Sequence, residues 1–354
     1  MEELLLKDNE NVPLPIGLTD DLEANAGPQP FAPSQMVACR DCLRANPPTR
    51  LNCIYCGVAL PHNETTADLQ KPTLRKLEKW ELGYNNILRA PAANEVKVNV
   101  NLAEAATLLR LEPADFERII SLQAPLPVAR ASSLAEAELV ERRLQSLGLP
   151  TRIVSDEDLG VTESGPARVR ALDLDEFTLS VYHGSDQLPV EIEWGNVLLV
   201  VMGRLITMRV EMKEQNAKRT ENRILDSSEF FSDEVVCEFY ARNEPTAFRI
   251  SANSFDFSCL MERKALVSGE NMTTLVDVFR ERAPEAEFDN SYASMRRALD
   301  SVWPTEQQMA SGGWRRERPG KYSIGSVMEK TNDIQFSRYS LLRHYLHRET
   351  RAKA

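Results

Sequence analysis

The chain has 354 residues, 42% of them apolar and 27% charged, and a net charge of −11. The length favours two or three folded domains of ordinary soluble composition. The acidic balance works against nucleic acid or anionic lipid as partners except through a local basic patch, and no apolar run approaches the roughly 18 residues of a membrane helix.

Residues 1–35 carry several acids and five prolines with little periodicity, and read as a disordered acidic leader. Glu2 and Glu3 before Leu4-Leu5-Leu6 do not make a secretory signal. Cys237 and Cys259 sit in apolar surroundings and read as buried free thiols, and a reducing cytoplasm fits both features.

The clearest chemical signal lies between 36 and 61. Cys39-Arg40-Asp41-Cys42 and Cys53-Ile54-Tyr55-Cys56-Gly57 form two C-x-x-C pairs separated by ten residues. Each pair places two sulfurs at one knuckle, and two knuckles make a tetrahedral Cys₄ site suited to Zn²⁺. Iron fits the same ligands, and two disulfides would need an oxidising compartment. Gly57 stands where a knuckle tolerates positive φ, and Asn46-Pro47-Pro48-Thr49 supplies the turn between the halves. The stretch resembles a zinc ribbon. With four protein ligands the shell is closed, so the metal is a structural staple, and His62 just beyond is a bystander. Residues 62–73 read as a linker.

Residues 74–158 read as a small α/β domain. Trp80 to Leu88 is a first strand, and Lys97 to Val100 a second strand or a lead-in. Asn101 caps a helix with Glu104 at its third position, Pro113 opens another, and Leu126–Ala129 is extended. Ser133 with Glu136 forms a capping box for a third helix whose Leu134, Ala137, Leu139, Val140, Leu144 and Leu147 make one stripe. Gly148 ends it, and Thr151–Val154 is a strand. The helix Leu102–Leu111, the helix Pro113 to Leu122, Ala124-Pro125-Leu126-Pro127-Val128, and the run from Ser133 through Gly148 to Ile153 together resemble the C-terminal domain of the ribosomal stalk protein and the related Clp-protease adaptor fold. That resemblance implies a protein-docking role in translation or proteolysis. Two departures narrow it: Arg89-Ala90-Pro91-Ala92 replaces the adaptor's acidic turn, and Leu102–Leu122 carries only Arg110 and Arg118 where the stalk helix surface is rich in lysine.

After a linker at 159–166, residues 167–284 turn to strands: Phe177–Tyr182, Val190–Trp194, the continuously apolar Val197–Leu205, Ile206–Met212, Val235–Tyr240, Phe248–Ile250 and Phe255–Leu260, with Lys213–Asn222 a charged loop. A helix capped by Asn271 closes the set. Antiparallel strands followed by one helix resemble a pleckstrin-homology-like barrel, which implies phosphoinositide or peptide binding. Asp173, Asp175, Glu176, Asp186, Glu191 and Glu193 crowd the place where a phosphoinositide needs cations, which leaves the peptide mode or a purely structural role.

The tail, 285–354, reads as helical and basic. It contains a helix from Tyr292 to Val302, a helix over Phe336–His347, and the segment Gly312 to Tyr322. In that segment Arg315, Arg316, Arg318 and Lys321 interleave with Trp314 and Tyr322, a mixture that grips single-stranded nucleic acid; the competing reading is a basic loop lying on the protein's own acidic surface. His344 and His347, three apart, lack a third metal ligand. There is no phosphate loop, no nucleophile elbow, and only four histidines in separate contexts. The sequence therefore predicts a multidomain α+β protein, not an enzyme: a cytoplasmic, zinc-binding adaptor for protein partners. A nucleic-acid-associated regulator using Arg40, Arg44, Arg50 and the Trp314–Tyr322 segment is the alternative.

Overall fold

The computed structural model describes residues 31–61, 70, 72–89, 101–162, 165–184, 188–215, 223–318 and 321–353. Two compact units emerge, Met1–Lys71 and Pro72–Ala354. The expected leader up to residue 30, His62 and Lys97–Val100 lie outside the described residues.

In the first unit, β1 (Val37–Ala38) and β2 (Ala45–Asn46) form an antiparallel hairpin. Among the described residues its buried apolar cluster is Cys39, Cys53 and Leu60, too little to hold a module of about thirty residues by itself.

The second unit begins with β3 (Tyr84–Leu88), the helices α1 (Leu102–Leu109) and α2 (Pro113–Ser121), β4 (Pro127–Ala131), α3 (Leu134–Ser146), β5 (Thr151–Ser155) and the single turn α4 (Asp156–Leu159). The predicted local signals operate. Asn101 accepts from the Glu104 N–H and Ser133 from the Glu136 N–H, and Pro113 starts α2. β3 lies between β4 and β5, antiparallel to both. It begins at Tyr84 rather than at Trp80, which is 77% exposed.

Next come β6 (Ala167–Val169), β7 (Ala171–Leu174), β8 (Thr178–Tyr182), β9 (Val190–Glu193), β10 (Val197–Gln215), β11 (Arg223–Ala241), β12 (Phe248–Ser251), α5 (Ser268–Arg282) and β13 (Glu287–Asp289). The chain ends with α6 (Tyr292–Leu299), β14 (Glu306–Arg318), β15 (Lys321–Thr331) and α7 (Asp333–Lys353). A large sheet runs β14-β15-β10-β11-β12-β6, with β13 beside the start of β10, and β7-β8-β9 form a small second sheet.

The apolar run at Val197–Met202 is buried on both faces, as its continuity predicts. Leu199 and Val201 join one core with Ile87, Leu109, Val140, Leu299, Phe336 and Leu342. Val200 joins the other with Leu179, Val181, Phe239, Phe248, Met272 and Phe279. Gly203 lets α7 approach, for a Cβ there would stand 2.3 Å from the Phe336 ring.

Several sequence expectations are corrected. The divisions at 159–166 and 285 do not separate cores, because strands and helices from both sides of each share one cluster; loop-like composition marks a turn, not the end of a core. The large sheet is not a purely antiparallel barrel, since β12–β6 and β10–β13 pair in parallel and two strands from the expected tail complete it. Lys213 to Gln215 continue β10 instead of starting a loop. Phe257–Arg263 is a 3₁₀ helix, capped by Asp256, where a strand over Phe255–Leu260 was expected. Asn271 lies inside α5, where its side chain accepts from Ala265 N–H and donates to Ala265 C=O.

Asp156, fully buried, joins these layers. Its carboxylate receives Arg338 at 2.7 Å, Arg130 at 2.5 Å, the Asn85 amide at 2.8 Å and the Gly83 N–H at 2.9 Å. Burial alone would raise its pKa, but the two guanidiniums and Asn85 outweigh it and hold the carboxyl below its usual range. Asp156→Asn leaves Arg338 and Arg130 without their anion and should cost about 3–5 kcal/mol in urea unfolding at neutral pH. Because the folded pKa is depressed, this contribution is complete above the unfolded value of about 3.9 and disappears as pH falls through the folded pKa. Stability of the variant should therefore decline less steeply than the parent's in that acid range.

Candidate metal centre

The two cysteine pairs fold as matching knuckles. The Leu43 N–H donates to Cys39 C=O at 3.0 Å and the Gly57 N–H to Cys53 C=O at 2.9 Å. The residue after each pair takes positive φ, 58° at Leu43 and 78° at Gly57. The chain then turns back, so that the Cys39 N–H donates to Arg44 C=O and the Cys53 N–H to Val58 C=O. Glycine fills one left-handed position and leucine the other, so the first knuckle carries strain that the second avoids.

All four sulfurs lie within 4.8 Å of one another. Cys39 Sγ stands 3.6 Å from Cys56 Sγ, and Cys42 Sγ 3.5 Å from Cys53 Sγ. A tetrahedral ion with metal–sulfur bonds of about 2.3 Å has sulfur–sulfur edges of about 3.8 Å, so the cluster fits one ion with slight relaxation. None of the six cysteines forms a disulfide.

Asn46, fully buried, joins the knuckles. Its amide donates to Arg44 C=O at 2.9 Å and to Cys53 Sγ at 3.4 Å, while its oxygen accepts from the Ile54 N–H at 2.9 Å. The Tyr55 N–H also donates to Cys53 Sγ at 3.4 Å. Burial pushes the Cys53 thiol up, but these donors and the Cys56 N–H outweigh it and bring it down to about 6. The Val58 N–H favours the Cys56 thiolate, yet desolvation and the neighbouring thiols prevail and push it up to about 12. The cluster thus favours one thiolate readily and resists four, and a cation at its centre removes that conflict. Arg44 lies 4.7 Å over the Tyr55 ring and clips the second knuckle from outside.

Sequence reading found the ligands but missed Asn46 as more than a turn residue, and missed Leu43 and the Arg44–Tyr55 contact. The repeated position after each C-x-x-C pair was the available signal for Leu43; nothing local announces Asn46.

The other candidates lie elsewhere. His344 stacks on Tyr240 with centroids 4.2 Å apart, and burial first of all pushes it down to about 4. His347 Nδ1 meets Glu287 Oε2 at 2.9 Å. Among the described residues, the four cysteines alone form a group with metal-ligand spacing. Trp314, Arg315, Arg316 and Arg318 lie on β14, and Lys321 and Tyr322 on β15; this segment is a strand pair, not a loop. Among the described residues no helix is long and apolar enough to cross a membrane. The chain matches no family model, no characterised protein and no solved structure.

Asn46→Ala should weaken metal binding about 10- to 100-fold in competition with a chromogenic chelator, the range for losing an outer-shell partner. Cys39→Ser should release the ion and unfold residues 37–60, leaving the thermal transition of Pro72–Ala354 in place; circular dichroism and limited proteolysis read the two parts separately.

Proposed function

We propose that the chain is a non-enzymatic, zinc-holding adaptor that docks a protein partner on the knuckles of its Cys₄ module. Four thiolates closing a tetrahedral shell suit Zn²⁺ as a structural ion. The observation that carries the docking role is the outward display of the module's larger apolar side chains. Leu43 is 80% exposed, and Ile54, Tyr55 and Val58 are also exposed, while the module's own core keeps only Cys39, Cys53 and Leu60. A module this small exposes such residues at a cost unless a partner covers them. Arg40, Arg44 and Arg50 are exposed on the same module, Arg44 against the Tyr55 ring, and favour an acidic rim on that partner. The resemblance of the sequence over 74–158 to stalk and Clp-adaptor domains is what suggests translation or proteolysis as the partner's setting, and the free thiols Cys237 and Cys259 suit a reducing cytoplasm.

Elemental analysis of the purified chain should give one zinc per molecule and no iron. The double variant Ile54→Ser/Tyr55→Ser should keep that zinc yet lose a nuclease-resistant protein partner in affinity capture. Iron in place of zinc, or undiminished capture by the variant, would overturn the reading.

A further inference from the structure

Beyond its cores the large sheet continues as four strands. Among the described side chains of residues 206–212 and 227–234 only Val210 is buried, and Phe230 and Phe231 are 54% and 70% exposed. β10 pairs with β11 as far as Gln215↔Arg223, β15 with β10 as far as Ser323↔Gln215, and β14 with β15 at Arg315↔Ser323. Arg223, Gln215, Ser323 and Arg315 therefore form one row across four strands. The β14–β15 pair runs on through Arg316↔Tyr322 and Arg318↔Lys321.

This topology gathers at one sheet end what the sequence holds far apart. Lys213, Arg223, Arg315, Arg316, Arg318 and Lys321 lie there, against Glu214, Asp226 and Glu317. The adjoining stretch of the same strands has the opposite balance: Glu211, Glu229, Asp233, Glu234, Glu306 and Glu329 against Arg204, Arg209 and Lys330. A basic end behind an acidic zone, in a chain of net charge −11, is a local excess of cations that the total charge conceals.

We propose that this sheet end binds single-stranded nucleic acid, independently of the Cys₄ module. Tyr322 falls in register with Arg316, and Trp314, in register with Ile324, lies two residues before Arg316 on the same strand, so the two aromatic residues flank a cation across adjacent strands. Cations for phosphates beside rings for unpaired bases are the chemistry of single-strand recognition. The acidic zone behind repels a longer polyanion and restricts contact to a few nucleotides.

The test is fluorescence anisotropy with the full zinc-loaded chain and a labelled oligothymidylate of about 15 nucleotides, within the usual range of single-strand site sizes. Binding should weaken with salt at roughly −0.7 in log K per log salt for each phosphate neutralised, or about −3 for four contacts. Arg315→Gln/Arg316→Gln/Arg318→Gln should flatten the slope by about 2 units and weaken low-salt binding tenfold or more. Trp314→Ala should weaken binding about tenfold with little change in slope, because stacking is not ionic. Unchanged melting temperatures show that both variants fold. Five outcomes would overturn the proposal: no binding at low salt, parental affinity in the triple variant, loss of binding instead in Arg40→Gln/Arg44→Gln/Arg50→Gln, equal or tighter binding to a duplex of the same length, or equal binding to phosphatidylserine vesicles.

Discussion

A single carboxylate, Asp156, stands where the layers of the larger unit meet. An ionised group without solvent is costly unless its lone pairs are occupied, and the groups occupying them come from three segments: Gly83 and Asn85 near or in β3, Arg130 in β4, Arg338 in α7. The network continues from Asn85, whose oxygen accepts from Trp303 Nε1 at 2.9 Å, to Gln335, which donates to Trp303 C=O and accepts from the Tyr292 hydroxyl. Asn332 donates to Tyr292 and takes the Ile206 N–H of β10. A chain of buried donors and acceptors, each with one partner of the right kind, specifies which elements meet more sharply than apolar area can.

The last helix is the element this network serves most. It is pinned at its start, where Asp333 pairs with Arg249, at its middle, where Arg338 reaches Asp156, and further on, where Arg343 meets Asp289 at 2.7 Å and His347 meets Glu287. Two of the buried carboxylates along it respond differently. Asp156 faces two guanidiniums and stays below its usual range, whereas burial raises Glu238, which shares the single Arg249 with Asp333. The number of cations, not burial alone, sets the direction. The smaller unit solves the opposite problem: with almost no core to specify, it relies on four sulfurs and Asn46.

What the sequence disclosed followed the range of the interactions involved. Caps at Asn101 and Ser133 act within one turn and were legible, as were cysteines whose spacing is itself the site. The place of α7 was not, because its decisive residues are polar: Asn332, Gln335, Arg338 and His347 are buried, and a pattern reading assigns such residues to solvent. Asp156, just past the strand Thr151–Val154, gave no signal of its own for the same reason. The aromatic run Phe255–Leu260 suggested a strand, but Asp256, which caps the turn through Ser258, decided otherwise. Lys213–Gln215 read as loop because a strand that has outrun its core no longer alternates between apolar and polar faces.

That outrun sheet also bears on function. Among the described residues β11 has no second neighbour before Val236, and β14 has only β15, so both present open edges there. Such edges invite pairing with other chains unless charge interrupts them. Glu229, Asp233 and Glu234 do this on β11, and Arg315, Arg316, Glu317 and Arg318 on β14. Suppressing edge pairing requires only charge of some kind, scattered along the strand. It does not require acids near the core and cations at the far end, drawn from two hairpins distant in sequence, with Arg223 and Arg315 in one register row. Protection of the edges explains why these strands are charged; it leaves the ordering of the charges to a ligand that is itself negative.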